Sequence, residues 1–178
     1  PSQLSCLDVR FTQITKIDLT KLIRLKKLNL SNNLKLSQVE GMCDLSKLQH
    51  LDLNFTNIEE LPDLDIFPDL HVLNMRNNPI NRLNVKANLL KLKYLDISNT
   101  KVQNIGFLHN FPKLVRVSIR GTSIKEIPPL EDLTELEFLD CYKTPINILP
   151  ALNKLKKLHY LNLGYTNISS LENILLPI

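Results

Sequence analysis

One spacing recurs along nearly the whole chain and decides what it can fold into. The stretch LHYLNLGYT, residues 158–166, reads LxxLxLxxT. The same pattern, with apolar swaps and Asn for some Thr, starts at Leu4, Leu25, Leu48, Leu70, Leu92, Leu114 and Leu136. Successive starts lie 21, 23, 22, 22, 22, 22 and 22 residues apart. Leucines three and then two residues apart fit neither a helix nor a plain strand. They suit a coil that turns corners, and such a coil repeated at a fixed period marks a solenoid.

With the first leucine as position 1, the regularity extends past the strand. Position 9 is Thr12, Asn33, Thr56, Asn78, Thr100, Thr122, Thr144 and Thr166, and position 11 is Ile or Val in seven copies. Position 14 is apolar too; in the second copy the equivalents of positions 11 and 14, Leu36 and Val39, arrive one residue late. Positions 3 to 7 alternate as a short strand with positions 4 and 6 on one side. A single unit cannot bury that side alone, so the copies must stack, and stacking lines their strands into one parallel sheet. The expected architecture is a single domain of eight repeats over residues 1–178. Position 9 should face inward at a corner where backbone groups lose their partners, a role for a buried polar side chain. Asn offers both a carbonyl and an amide, Thr one hydroxyl, so the six Thr corners should make fewer bonds than the two Asn corners.

The side opposite the strands should hold no long helix. Pro62, Pro128 and Pro150 share position 15, and Pro68 and Pro112 interrupt the following turn; proline there breaks helical bonding. Short 3₁₀ turns and extended segments fit better. The fourth copy departs, because Lys86 stands where other copies have leucine and Val85 is its apolar substitute.

On these residues the chain resembles leucine-rich-repeat proteins of the 22-residue kind, with LxxLxLxxN/TxI matched from residue 4 to about 174. It is similar to the short-repeat subclass of phosphatase-regulating subunits and of bacterial internalin-type and effector proteins. The resemblance implies an α/β leucine-rich-repeat solenoid, a curved horseshoe with the parallel sheet concave and short 3₁₀ or extended segments convex. It also implies a scaffold that binds another protein. Terminal repeats need a polar cover and none is visible, so the natural chain is expected to continue at one or both ends.

In this register, positions 3, 5 and 7 face outward from the sheet. Position 3 ends in Tyr94, Arg116, Phe138 and Tyr160, and position 7 contributes Arg76, Arg120 and Tyr142. All four tyrosines fall on strands or just past them, Tyr165 at position 8. Tyr, Phe and Arg supply much of the binding energy at protein interfaces. Aromatic residues also favour strands for their own sake, but Tyr94, Arg116, Phe138 and Tyr160 form one contiguous row, which favours contact. Position 5 alternates Asp8, Asn29, Asp52, Asn74, Asp96, Ser118, Asp140 and Asn162. Asp96 and Asp140 either add polar specificity beside the aromatic row or form a solvated ladder. The expected partner-binding set is therefore Tyr94, Arg116, Phe138, Tyr142 and Tyr160 as anchors, with Arg76, Asp96, Arg120 and Asp140 setting orientation.

The residue before position 1 makes a rim stripe of Arg24, Lys47, Lys91, Lys113 and Lys157, broken by Asp69 and Glu135. A solvated edge is the ordinary reading. RNA binding is a lesser one, because a net charge of +4 is modest for a phosphate-binding surface. Catalysis needs convergent groups; the four histidines occupy different coils, and zinc spacing and a glycine-rich phosphate loop are absent. No enzyme activity, cofactor or metal is expected, and no apolar run is long enough to insert in a membrane. The two N-x-S/T triplets, at Asn54 and Asn167, read as by-products of the repeat. Three unspaced cysteines point to a reducing compartment: the cytoplasm, or a host cytosol for a secreted bacterial effector. The alternative function is the substrate-targeting half of a larger enzyme, such as a bacterial effector ubiquitin ligase, with catalysis elsewhere.

Overall fold

The computed structural model describes residues 3–171 and 175–176. Positions 3 to 5 of each copy become a three-residue strand: β1 (Cys6–Asp8), β3 (Lys27–Asn29), β5 (His50–Asp52), β6 (Val72–Asn74), β7 (Tyr94–Asp96), β8 (Arg116–Ser118), β9 (Phe138–Asp140) and β10 (Tyr160–Asn162). These eight form one parallel sheet in the order β1-β3-β5-β6-β7-β8-β9-β10. Equivalent positions face each other throughout, as in Tyr94↔Arg116 and Arg116↔Phe138. The expected in-register stack is present.

The opposite side is built as the prolines require. Short 3₁₀ turns occupy Met42–Asp44, Leu64–Ile66 and Gly106–Asn110. In the first two coils β2 (Lys16–Asp18) and β4 (Gln38–Glu40) pair in parallel and place Ile17 beside Val39, consistent with the one-residue delay in the second copy. Val85 packs partly buried against the core, while Lys86 turns outward to pair with Asp63. Among the described residues no helix is long and apolar enough to cross a membrane.

The leucines at positions 1, 4 and 6 run as continuous buried columns, among them Leu48, Leu70, Leu92 and Leu114 at position 1. Phe67 and Phe111 are fully buried in the same core. At about 25 cal/mol per Å² of apolar surface, such side chains supply most of the driving force, and each coil contributes in proportion.

The corners behave as the donor inventory requires. The Thr100, Thr122 and Thr144 hydroxyls each donate to the carbonyl three residues back, at 2.6–2.7 Å. Asn78 does more. Its amide donates to Met75 O in its own coil and to Leu53 O in the preceding one, at 3.1 and 2.7 Å, and its Oδ1 accepts the Thr56 hydroxyl. Asn33 bridges coils the same way, through Leu30 O and Val9 O. The asparagines are inter-coil staples; Thr12 and Thr56 reach the asparagine of the next coil, whereas Thr100, Thr122 and Thr144 close their own corner.

Candidate partner-binding face

Position 5 explains how the strands end. Asp8, Asn29, Asp52, Asn74, Asp96, Asp140 and Asn162 each turn Oδ1 back to accept the backbone N–H two residues on. Ser118 departs and instead shares a 2.7 Å bond with Ser98 Oγ. This Asx turn sends the chain out of the strand. The next step is sharper, because position 8 adopts positive φ in every coil: Phe11, Asn32, Phe55, Asn77, Asn99, Gly121, Lys143 and Tyr165. Asn and Gly accept that conformation readily; Phe, Lys and Tyr do not.

These turns set two columns of side chains on the sheet face. The first is the row of position 3. Arg116 lies with its Cζ 4.2 Å from the Phe138 ring centre, and Phe138 stacks on Tyr160 with centroids 4.1 Å apart and planes 4° from parallel. The second column runs through position 7 to position 8. Arg120 Cζ sits 4.0 Å from the Tyr142 ring centre, Tyr142 meets the Tyr165 ring edge-on at 5.1 Å, and Lys143 Nζ lies 5.6 and 5.8 Å from the two ring centres. Each such contact contributes about 0.5–1.5 kcal/mol. Because rings and guanidiniums stack on each other, several faces are already occupied, and a partner meets mostly edges, hydroxyls and N–H groups.

At the Arg116 end of the first column lies a hollow of about 510 Å³, lined by residues that include Val72, Arg76, Tyr94, Asp96, Arg116 and Phe138. Asp140 lines it too, so six of the nine residues expected to bind a partner meet there. Arg120, Tyr142 and Tyr160 do not line it; they continue the two columns toward the C-terminal end. Tyr94 and Tyr160 are 42% and 40% exposed, placing both rings on the outside of the coil. Phe138 and Tyr142 are half-buried within their stacks. Asp140, by contrast, is 8% exposed, with Oδ1 held 3.0 Å from the Tyr142 N–H. Its main work is in the turn.

Sequence reasoning passed over Lys143 and left Tyr165 at the margin. The signal was available: four copies place Asn or Gly at position 8, whereas these two, like Phe11 and Phe55, place large side chains. The rim stripe also differs from a simple positive edge. Lys91 pairs with Asp69 at 2.6 Å and Lys157 with Glu135 at 2.7 Å, so each acidic break neutralises the lysine of the following coil. Those lysines hold the Asp69 and Glu135 carboxyls below their usual range. Burial pushes the Asp52 carboxyl up, and burial pushes the Cys141 thiol to about 12.

No protein-family model and no curated protein matches the chain. Solved structures do. The functional domain of InlJ from Listeria monocytogenes, which includes a cysteine ladder, matches at 25% identity with a TM-score of 0.81, over 90% of this chain and 34% of that one. A leucine-rich-repeat protein of Leptospira interrogans matches at 20% identity and a TM-score of 0.72, over 94% and 56% of the two chains. Internalin C2 of Listeria monocytogenes matches at 23% identity and a TM-score of 0.62, over 88% and 80%. The chain thus spans about a third of the InlJ domain and shares with these proteins the leucine-rich-repeat solenoid fold. Its own three cysteines form no ladder: Cys6 and Cys43 are exposed and Cys141 is buried in the core.

Proposed function

We propose that this leucine-rich-repeat solenoid is a non-enzymatic recognition module that grips another protein on its sheet face. The observation that carries this reading is the hollow at the Arg116 end of the first column, where Tyr94, Arg76 and Arg116 present aromatic and guanidinium groups on a hydrogen-bonded sheet. Such groups concentrate binding energy because they bring large contact area at small entropic cost. The sheet is pre-formed, so little ordering cost accompanies docking. Tyr94 and Arg116 would anchor the partner at the hollow, Tyr142 and Tyr160 would extend the contact, and Phe138 would hold the first column rigid. Arg76 and Arg120 would orient the partner; Asp96 and Asp140 would act chiefly by fixing the strand exits from which those residues project.

The similarity to internalins adds support, since a scaffold of stacked coils offers a long surface and no enclosed reaction chamber. A photoreactive benzoylphenylalanine in place of Tyr94, Tyr160 or Ile148 tests the reading, Ile148 being exposed outside the main sheet. Protein adducts from cell extract are expected at the first two sites and not at the third. Equal labelling at all three, or none at the sheet sites, would refute it.

A further inference from the structure

Five cations of the described residues reach an acid: Arg10 with Asp8, Arg82 with Glu60, Lys86 with Asp63, Lys91 with Asp69 and Lys157 with Glu135. The guanidiniums around the hollow are not among them. Among the described residues no carboxylate lies within ion-pairing distance of Arg76, Arg116 or Arg120. Acids are not lacking there, since Asp96 and Asp140 line the same hollow. They have been turned into the backbone, each with Oδ1 on the N–H two residues on. Arg76 and Arg116 are exposed and Arg120 is half-buried.

The three guanidiniums occupy defined places. Arg116 and Arg120 belong to one coil, four residues apart, which spans roughly 13 Å along an extended strand; Arg76 lies two coils from Arg120, roughly 10 Å across the sheet. Two of the three are held from behind by a ring, Arg116 by Phe138 and Arg120 by Tyr142. A guanidinium seated on a ring face spends none of its N–H groups on that contact, so they remain to receive a carboxylate with two bonds.

From this charge complementarity we infer that the occupant of the hollow is an acidic segment of the partner protein, with Asp or Glu carboxylates received by Arg76 and Arg116 in the hollow and by Arg120 beside it, and an apolar side chain set against Tyr94 and Val72. This rests on the recognition role proposed above and specifies its chemistry. A guanidinium without an internal partner stays hydrated until the acid arrives, so the contacts steer encounter and fix register as well as hold.

A phage-displayed library of random 12-residue peptides, selected on the immobilised chain, tests the inference. Selected peptides are expected to be richer in Asp and Glu than the input. The affinity of a selected peptide should fall roughly tenfold or more for the chain carrying Arg76→Glu, Arg116→Glu and Arg120→Glu, and again when its Glu residues become Gln. Its association rate should slow as salt rises. Gln at the three positions gives a milder second variant, and unchanged thermal unfolding shows that both remain folded. Selection without acidic enrichment, unchanged affinity in both variants, or no selection at all would overturn the acidic occupant. So would tighter binding of a random 20-nucleotide RNA that the Arg→Glu variant loses, which would assign the guanidiniums to phosphate. The photocrosslinks at Tyr94 and Tyr160 stand apart from these outcomes and decide whether the face binds protein at all.

Discussion

Arg116 and Phe138 stack across adjacent strands, guanidinium over ring at 4.2 Å, and Tyr160 covers Phe138 from the neighbouring strand on the other side. Phe138 is thus the middle of a three-layer stack, whereas Tyr94 at the head of the same row makes no ring contact among those described. Phe138→Ala should destabilise the chain by about 1–2 kcal/mol, from two lost stacking contacts plus lost burial. Tyr94→Ala should fall within about 0.5 kcal/mol of the parent. Urea unfolding of both variants checks the contrast. Equal costs would mean that the stack holds nothing together in solution.

The two kinds of corner should differ in the same experiment. Asn78→Ala strips Met75 O of its amide donor and the Ile58 N–H of its acceptor, while Leu53 O and the Thr56 hydroxyl keep each other. Buried groups left unpaired cost about 1–3 kcal/mol each, so a loss of about 3 kcal/mol is expected. Thr122→Val removes one hydroxyl bond to Ile119 O and keeps the volume, which should cost about 1 kcal/mol. If the threonine change costs as much as the asparagine change, the staple account of Asn78 is wrong.

Gly41 follows β4 at φ 73°, and a Cβ there would lie 2.4 Å from the Thr20 backbone nitrogen in the preceding coil. Neither the left-handed backbone nor the clash can be relieved by moving a side chain. Gly41→Ala should therefore cost about 2 kcal/mol or more. Gly106→Ala, which meets only the Asn104 side chain at 3.1 Å, should cost less. Thermal unfolding of the pair provides the comparison.

The fold was legible because each coil solves the same burial problem, so Leu51, Leu73 and Leu95 announce the strand eight times over in equivalent form. The corner roles of Thr122 and Asn78 followed from counting donors. The outward row was legible too, since alternation alone puts Tyr94 and Tyr160 outside. What remained hidden depends on geometry that spacing does not carry. Asp96 and Asn74 look like solvent ladders until their Oδ1 atoms are seen on backbone N–H groups. Whether Arg116 covers Phe138 or reaches Asp96 is a choice of rotamer, decided by the strand spacing and by the turn that already holds the carboxylate. The positive φ of position 8 was half-announced by Asn32, Asn77, Asn99 and Gly121, and masked by Phe11, Phe55, Lys143 and Tyr165.

The cysteines divide by environment. Cys6 and Cys43 are exposed, whereas Cys141 sits at a leucine position in the core, where burial and then the Asp140 charge raise its pKa from 9.0 to about 12. Because the thiolate is the reactive form, Ellman's reagent at pH 8 should titrate two thiols quickly and the third only on unfolding. The native thiol keeps its proton to higher pH than the unfolded one. Its contribution is therefore intact below pH 9 and is lost as pH rises from 9 toward 12, by about 1.4 kcal/mol per pH unit. Cys141→Ala should remove that part of the alkaline slope. Three equally fast thiols in the native protein would contradict the burial.

Phe11 holds φ 59° while 70% exposed, so it bears the cost of a left-handed backbone with little buried area in return. Its backbone N–H still bonds Ser31 O at 3.2 Å, and Asn32, the next residue of this ladder, adopts the same conformation as a residue type suited to it. Phe11→Asn should keep that bond, relieve the strain and stabilise the chain by about 1 kcal/mol. Lys143→Asn should gain less, because Lys143 gives up its approach to the Tyr142 and Tyr165 rings. Denaturant midpoints for both variants read the difference. A loss of stability in Phe11→Asn would show that the exposed ring packs in solution against something that compensates the strained backbone.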